Sequence, residues 1–303
     1  MKRLMPIALN ERHLIAAAIV CLMGSTAIHA AGSRWSHPRD AQSRALRGPA
    51  LLQAGSGEVG AWRAASPTRG VEKAAVVLAL LCLVVRLGLP ATQRGGWPLI
   101  MPAEVIIAAA AGAILWRLVN KPRYEPQWTA PVLYAIVSSM LMWGLARGSS
   151  PQTASIVDSW QQTWLFGSHL ALALACGAFV LASSLALASL LTEKQQARRA
   201  VGPPQGWPKV LASGEKAGHH AMLPGLPLLT ASLVIAALGE QYTRGVRWDW
   251  TVSESWQLLA WLFYTVIWCA TVLLGWRGRR SWSLTAAGLI VTLLMLNAVG
   301  GSW

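Results

Sequence analysis

Residues 226–278 read LPLLTASLVIAALGEQYTRGVRWDWTVSESWQLLAWLFYTVIWCATVLLGWRG, two apolar runs separated by a short polar segment. Each run approaches the roughly 20 residues that an α-helix needs to cross a bilayer. The polar segment, residues 244–256, is called here the Trp-rich connector. It carries three tryptophans and four charged residues: Trp248, Trp250, Trp256, Arg244, Arg247, Asp249 and Glu254. The stretch therefore predicts two membrane helices joined by an aromatic, charged connector.

Two interpretations of the Trp-rich connector are open on composition alone. Indole is apolar with one polar N–H, so such tryptophans lie where hydrocarbon meets water and can form a belt that anchors two helices. The same residues can instead form a flat aromatic platform for a planar amphiphile. In that second interpretation, the arginines face the acidic groups of the ligand.

The composition is that of an integral membrane protein. Of its 303 residues, 54% are hydrophobic, only 13% are charged and 17 are tryptophan, a balance that is rare in water-soluble proteins. Because lipid offers the backbone no hydrogen-bond partners, the membrane spans must be helices. We therefore expect an all-α fold, a polytopic transmembrane helical bundle of about seven or eight membrane helices.

The net charge and the cysteines exclude other classes. The formal charge of +14 does not indicate nucleic acid, because the cations lie in the N-terminal tail and in short connectors rather than on one face. The four cysteines lie in apolar segments without a Cys-x-x-Cys pair, so neither a disulfide framework nor a zinc site is expected. They are Cys21, Cys82, Cys176 and Cys269.

The chain divides into two predicted regions. Residues 1–72 combine an apolar run, Leu14 to Ala31, that resembles a signal peptide or a signal anchor with a Ser-, Gly- and Arg-rich tail expected to be disordered. Residues 73–303 form the predicted transmembrane domain. Its seven apolar stretches are approximately Ala74–Leu89, Ala103–Val119, Pro131–Ala146, Leu165–Leu191, Leu223–Gly239, Trp256–Leu274 and Trp282–Val299.

Cations fix the expected orientation of these spans. Three cation-bearing connectors, within residues 117–123, 194–216 and 277–280, alternate along the chain, which predicts all three on the cytoplasmic side. The Trp-rich connector then faces the outside. If Leu14–Ala31 is cleaved, or crosses with its amino end inside, the next span starts outside and the other seven spans are inverted. Either that run does not cross as drawn, one weaker stretch is not a span, or the true start of the chain lies further downstream.

The order of residues around the Trp-rich connector resembles the tryptophan-rich "WWD" motif of haem-handling proteins of cytochrome c maturation, most closely the CcsA-type (system II) family. That family reads Leu-Thr-x-Gly, a Trp-Gly-x-Tyr-Trp-x-Trp-Asp core, Pro-Lys-Glu-Thr-Trp, Trp-Leu and Gly-Trp-Arg-Gly. In the core, Arg244 replaces the first Trp and Arg247 replaces the Tyr, while residues 251–253 replace Asp-Pro-Lys. The matches in one ungapped register are Leu229, Thr230, Gly245, Trp248, Trp250, Glu254, Trp256, Trp261, Leu262, Tyr264, Gly275, Trp276, Arg277 and Gly278.

A second, weaker resemblance lies upstream, at residues 96–104. Pro98 and Glu104 match the family's Gly-His-x-Pro-x-Ser-Asn-x-Tyr-Glu, and Trp97 replaces its His. Taken by itself, Glu104 can simply favour the positive end of a helix dipole. Arg86, within the preceding span, is expected to snorkel to the interface rather than to meet an acidic ligand.

The segment 158–169 is similar to the family's external Ser-x-Trp stretch, and His169 falls on the external histidine. A neutral imidazole can ligate haem iron, whereas a lone His at a helix start is more often an interfacial polar residue. Two family histidines are absent: the last span ends without the second external one, and Cys269 replaces the one ahead of Gly-Trp-Arg-Gly. His219 and His220 are expected on the opposite side of the membrane from His169.

The resemblance implies a function in cytochrome c assembly at a bacterial inner (cytoplasmic) membrane. It implies that haem b is bound transiently and presented to apocytochrome c, with a ResB-like membrane subunit as a further partner. The implied haem site comprises His169 as ligand of the haem iron, Trp248, Trp250 and Trp256 as the platform, and Arg244 and Arg247. We infer the arginine role from the fit of a guanidinium fork to the haem propionates. The enzyme class stays open, since the chain would be one component of a cytochrome c haem lyase or synthase.

Two other functions stay open from the sequence. A diverged CcsA-like structural or assembly subunit that no longer binds haem agrees with the absent histidines. A transporter for an amphiphile has only the number of spans in its favour, because no internal repeat or broken helix pair indicates a site at the membrane midplane.

Overall fold

The computed structural model describes residues 14–24, 68–94, 102–119, 128–147, 159–197, 216–245, 251–276 and 278–301. Throughout these ranges the regular structure is α-helical, which confirms the all-α fold class. The helices are α1 (Leu14–Gly24), α2 (Thr68–Arg94), α3 (Pro102–Val119), α4 (Thr129–Arg147), α5 (Ser159–Ala197), α6 (216–222), α7 (Gly225–Arg244), α8 (Val252–Val272) and α9 (Arg279–Gly301).

All seven apolar stretches of the predicted transmembrane domain are helical. Within the described ranges, five helices are long and apolar enough to cross a membrane, fewer than the seven or eight predicted. The described apolar parts of α1 and α2 are shorter, at Leu14–Gly24 and Ala74–Leu87. The five spans are Thr129–Arg147, Gln161–Gln195, Lys216–Thr243, Val252–Val272 and Arg279–Val299, of which Lys216–Thr243 takes in both α6 and α7.

The bundle is organised around α5, which contacts α3, α4, α7 and α9. Its sequence is rich in Ala, Ser, Gly and Leu on every side, as expected of a helix surrounded by others. Small residues let the backbones approach closely where α5 crosses α3. A Cβ atom added to Gly177 would lie only 2.6 Å from the Ala113 nitrogen and from the Gly112 carbonyl carbon.

The helices after α5 pack so that their ends alternate. Gly225 at the start of α7 meets the ring of Phe179, whereas Gly239 near its end meets Trp164, so α7 runs antiparallel to α5. The next helix, α8, packs mainly against α9 and more lightly against α7. A stacked pair of rings, Phe179 and Tyr264, ties α8 to α5 with ring centroids 3.7 Å apart.

Several predicted boundaries are wrong in this fold. Helix α2 begins at Thr68, inside the region assigned to the disordered tail, and continues through Pro90 to Arg94 instead of ending before the proline. Neighbouring groups let membrane helices tolerate proline. The rest of the predicted tail, residues 32–67, lies outside the described residues, as do residues 25–31 of the apolar run.

Both ends of the Trp-rich connector belong to helices. Helix α7 ends at Arg244 and α8 begins at Val252, so Glu254 and Trp256 belong to α8. The Thr251 side chain caps α8 by accepting a hydrogen bond from the Glu254 backbone N–H at 3.2 Å. A Thr-x-x-Glu sequence is a typical helix start, and the prediction overlooked it.

Two charged residues of the upstream spans are buried. Glu104 lies in the first turn of α3 with 3% of its surface exposed. Arg86 is 6% exposed, so the expectation that it snorkels to the interface is wrong. A charged side chain buried inside a membrane bundle is costly, and such residues normally face the bundle interior.

Candidate functional site

A cavity of about 280 Å³ lies at the end of the bundle where α7 leads into the Trp-rich connector. Four helices contribute to its walls: the start of α5, the last turns of α7, the start of α8 and the end of α9. Its lining residues are Gln161, Trp164, Leu165, Ser168, His169, Ile235, Ala236, Gly239, Glu240, Thr243, Thr251, Ser253, Glu254, Gln257 and Val299.

His169 is one of these lining residues. It lies on α5, is 8% exposed, and shares the cavity with Thr243 of α7 and Thr251 at the cap of α8. Thr243 directly precedes the Trp-rich connector, and Thr251 lies within it. The fold therefore brings His169 level with the base of the Trp-rich connector, as its position in the sequence predicts.

Two acidic residues, Glu240 and Glu254, line the cavity with His169, and none of the described lining residues is Lys or Arg. Glu254 is 6% exposed. The cavity therefore holds carboxyl oxygen atoms as well as an imidazole.

A chain of polar side chains lies directly beside His169. The Ser232 hydroxyl donates to the Ser168 carbonyl at 3.0 Å, and the Ser168 hydroxyl donates to the Ser232 carbonyl at 3.2 Å. The Ser232 hydroxyl also lies 3.5 Å from the side-chain oxygen of Gln257, whose amide nitrogen donates to the Ser253 hydroxyl at 3.3 Å. This chain links α5, α7 and α8. The sequence analysis missed it, although polar residues inside apolar spans are a recognisable signal.

The aromatic residues of the predicted site fall into three groups. Trp256 is half-buried and packs against the hydrophobic core rather than lining the cavity. Trp248 and Trp250 lie outside the described residues, as does Arg247, while Arg244 is the last residue of α7. The sequence analysis did not single out Trp164, which lines the cavity and stacks on Tyr242 at a centroid separation of 5.8 Å.

Other residues weighed as ligands lie elsewhere. The helix that carries His219 and His220 packs near Ala182 and Leu185 of α5, because a Cβ atom added to Gly218 would lie 4.0 Å from an atom of each. Thirteen residues of α5 separate Ala182 from His169, about 20 Å along the axis. The end of α9, near which the resemblance expects a second histidine, contributes the apolar Val299 to the cavity.

The residues present fit haem in part. An imidazole in a cavity whose walls combine polar, apolar and aromatic side chains can serve as an axial ligand for haem iron. The volume is just below the 300–1,000 Å³ usual for small-molecule pockets, so the cavity can enclose only part of a macrocycle. The described residues hold no group of three or more His, Cys, Asp or Glu able to bind a bare metal ion.

Comparison with known proteins agrees with this architecture. Residues 101–300 match the family described as cytochrome C assembly protein. The cytochrome c biogenesis protein CcsA of Synechococcus sp. (strain CC9902) is 25% identical over 258 residues, covering 76% of this chain and 84% of that protein. CcsA of Parasynechococcus marenigrum (strain WH8102) is also 25% identical over 258 residues, covering 76% and 83%. No solved structure matches the chain significantly.

The family match extends over well more than half of the chain and includes the four helices that form the cavity. The CcsA relatives align with about three quarters of the chain. The chain therefore belongs to the cytochrome C assembly protein family, as a CcsA-type helical membrane protein of cytochrome c biogenesis.

Proposed function

We propose that this protein holds haem b transiently at the connector end of the bundle and presents it to apocytochrome c. The observation that supports this most directly is the position of His169. It is buried in a cavity whose walls include both helices that flank the Trp-rich connector. An imidazole at this place can ligate haem iron while the rest of the ligand extends towards the tryptophans.

The residues of the Trp-rich connector supply the other proposed contacts. Arg244 and Arg247 are the cations of this connector that suit the haem propionates. Trp248 and Trp250, with the exposed part of Trp256, then provide the aromatic surface. When bound, haem supplies the vinyl groups to which the cysteine thiols of an apocytochrome add.

The setting of this activity is also part of the proposal. The protein would lie in a bacterial inner membrane with the Trp-rich connector outside, where apocytochrome c is met. A ResB-like membrane subunit would complete a cytochrome c haem lyase or synthase. The CcsA names of the relatives support the role in cytochrome c biogenesis, and the cation distribution along the chain supports the orientation.

An absorption spectrum of protein purified in mild detergent from haem-replete cells tests the haem-binding step. We expect a Soret band in wild type that is largely lost in His169→Ala. His220→Ala is the matched control, because His220 is an exposed histidine at the opposite end of the bundle. An equal Soret band in wild type and His169→Ala, or a loss in His220→Ala alone, would contradict the proposal.

One observation favours a second candidate, a CcsA-like assembly subunit that no longer binds haem. Helix α9 contributes the apolar Val299 to the cavity lining, not a histidine. His169 is therefore the single imidazole among the described lining residues. Covalent cytochrome c formation in cells separates the two candidates. The haem-handling proposal predicts that His169→Ala abolishes it, whereas an assembly subunit predicts near wild-type formation with no Soret band in the purified protein.

A further inference from the structure

The polar chain beside His169 consists of Ser168 on α5, Ser232 on α7 and Gln257 on α8, and is called here the three-helix clamp. These residues are 5%, 0% and 4% exposed. Hydrogen bonds join Ser168 to Ser232, and the Ser232 hydroxyl oxygen also lies 3.5 Å from the Gln257 side-chain oxygen, so the three residues bring three helices together at the level of the cavity. We propose that the three-helix clamp positions His169 relative to the end of α8 that carries Trp256 and the connector. This inference rests on the proposed function.

Helix α8 packs chiefly against α9 and more lightly against α7, and 28% of its most apolar stretch is buried inside the bundle. Its described links to α5 and α7 are few and specific. The Phe179–Tyr264 stack holds its middle, and the Ser232–Gln257 contact holds its start. Without the second link, the first turns of α8 can move relative to α5.

The pair Ser168 and Ser232 joins α5 to α7. Ser168 and Ser232 exchange hydrogen bonds with each other's backbone carbonyl, and their hydroxyl oxygens lie 3.3 Å apart. Each serine must lie directly opposite the other to satisfy both bonds. Because His169 is the next residue after Ser168, this register fixes where along α7 the imidazole enters the cavity.

The contacts of the three-helix clamp continue into the first turn of α8. Gln257 donates to Ser253, and both side chains line the cavity with Glu254. The clamp therefore spans from the residue next to His169 to the first turn of α8. Groups that hydrogen-bond directly to a metal ligand typically change metal affinity by about 10- to 100-fold when they are removed. The clamp acts on His169 through the adjoining backbone, so we expect an effect at the lower end of this range.

The test compares Ser232→Ala with Thr230→Ala. Thr230 also joins α7 to α8, since its hydroxyl oxygen accepts from the Trp261 indole N–H at 2.9 Å, but this contact is exposed and away from the cavity. Thr230→Ala removes one α7–α8 hydrogen bond, whereas Ser232→Ala removes the α7–α8 contact with Gln257 and the hydrogen bond to the Ser168 carbonyl of α5. A general role in packing would affect them similarly, whereas a positioning role concerns Ser232 alone.

Two measurements are made on purified full-length protein in detergent. Amide hydrogen exchange of residues 251–257 needs no haem, and we expect it to accelerate in Ser232→Ala but not in Thr230→Ala. Haem titration followed by absorption is expected to show about a tenfold weaker affinity and a shifted Soret maximum in Ser232→Ala only. Gln257→Leu, which keeps the serine pair, is expected to change both in the same direction.

The possible outcomes distinguish a failure of the clamp's positioning role from a failure of the proposed function. Wild type that binds haem, with equal exchange and equal spectra in the Ser232 and Thr230 variants, would overturn the clamp and leave the proposed function standing. Wild type that binds no haem would overturn the proposed function and, with it, the role of the clamp in positioning a haem ligand.

Discussion

His169 occupies a point where the ends of α5, α7, α8 and α9 meet around one cavity. Its neighbours there are carboxylates, hydroxyls and an indole, and its own surface is almost wholly buried. A polar residue buried in a membrane bundle normally has a role in binding or transfer. At the scale of single residues, the arrangement is a buried imidazole in a cavity, next in sequence to a serine that makes polar contacts between helices.

A glycine sets the packing on which that arrangement depends. A Cβ at Gly177 would approach backbone atoms of α3 to 2.6 Å, and backbone cannot move aside as a side chain can. We expect Gly177→Ala to lower the stability by about 1–3 kcal/mol, as overpacking typically does. Thermal unfolding in detergent measures the loss as a lower Tm.

Gly167→Ala is the control for this substitution, because the added Cβ on the same helix would meet only the Ile235 side chain, at an ordinary 3.7 Å. An unchanged Tm in Gly177→Ala would show that α3 and α5 are not in the close contact described.

At the scale of elements, α4 contacts the C-terminal end of the last helix, α9, and holds it beside the cavity. The Arg147 guanidinium at the end of α4 donates to the side-chain oxygen of Asn297 and to its backbone carbonyl, and it lies over the Trp143 ring at 5.2 Å. Cations near a helix C-terminus typically contribute 0.3–1 kcal/mol. This contact holds the part of α9 that contributes Val299 to the cavity.

We expect Arg147→Ala to loosen that end of α9. Amide hydrogen exchange over residues 293–301 should accelerate, while exchange in the middle of α9 stays near wild type because Tyr264 still bonds Thr292 at 2.8 Å. Ser139→Ala is the control on α4, since Ser139 bonds only its own helix. Equal exchange in Arg147→Ala and wild type would show that the contact does not hold α9.

The sequence predicted the existence of these helices better than their ends. Apolar runs of near membrane length are enough to identify the spans, but Thr251 and Glu254 start α8 earlier than hydropathy alone suggests, and α2 passes through Pro90. In the candidate site, resemblance and position found His169. Its partners Ser232 and Gln257 come from other helices, so only the packing of the bundle reveals them.

At the scale of the whole molecule, the account places His169 and the Trp-rich connector at one end of the bundle and His220 at the other. Positively charged connectors predict that the end with His220 is cytoplasmic. We expect alkaline phosphatase, which is active only outside the cytoplasm, to be active when fused at residue 249 and inactive when fused at residue 205. The reverse pattern would contradict the proposed orientation.

The central claim is that the His169 imidazole ligates haem in the cavity, and chemical rescue tests it most directly. Purified wild type and His169→Gly are titrated with reduced haem, with and without added imidazole, while the Soret band is followed. The account predicts a saturable Soret band in wild type, its loss in His169→Gly, and its return when imidazole fills the vacated space. An unaltered Soret band in His169→Gly, or no saturable band in folded wild-type protein, would contradict it.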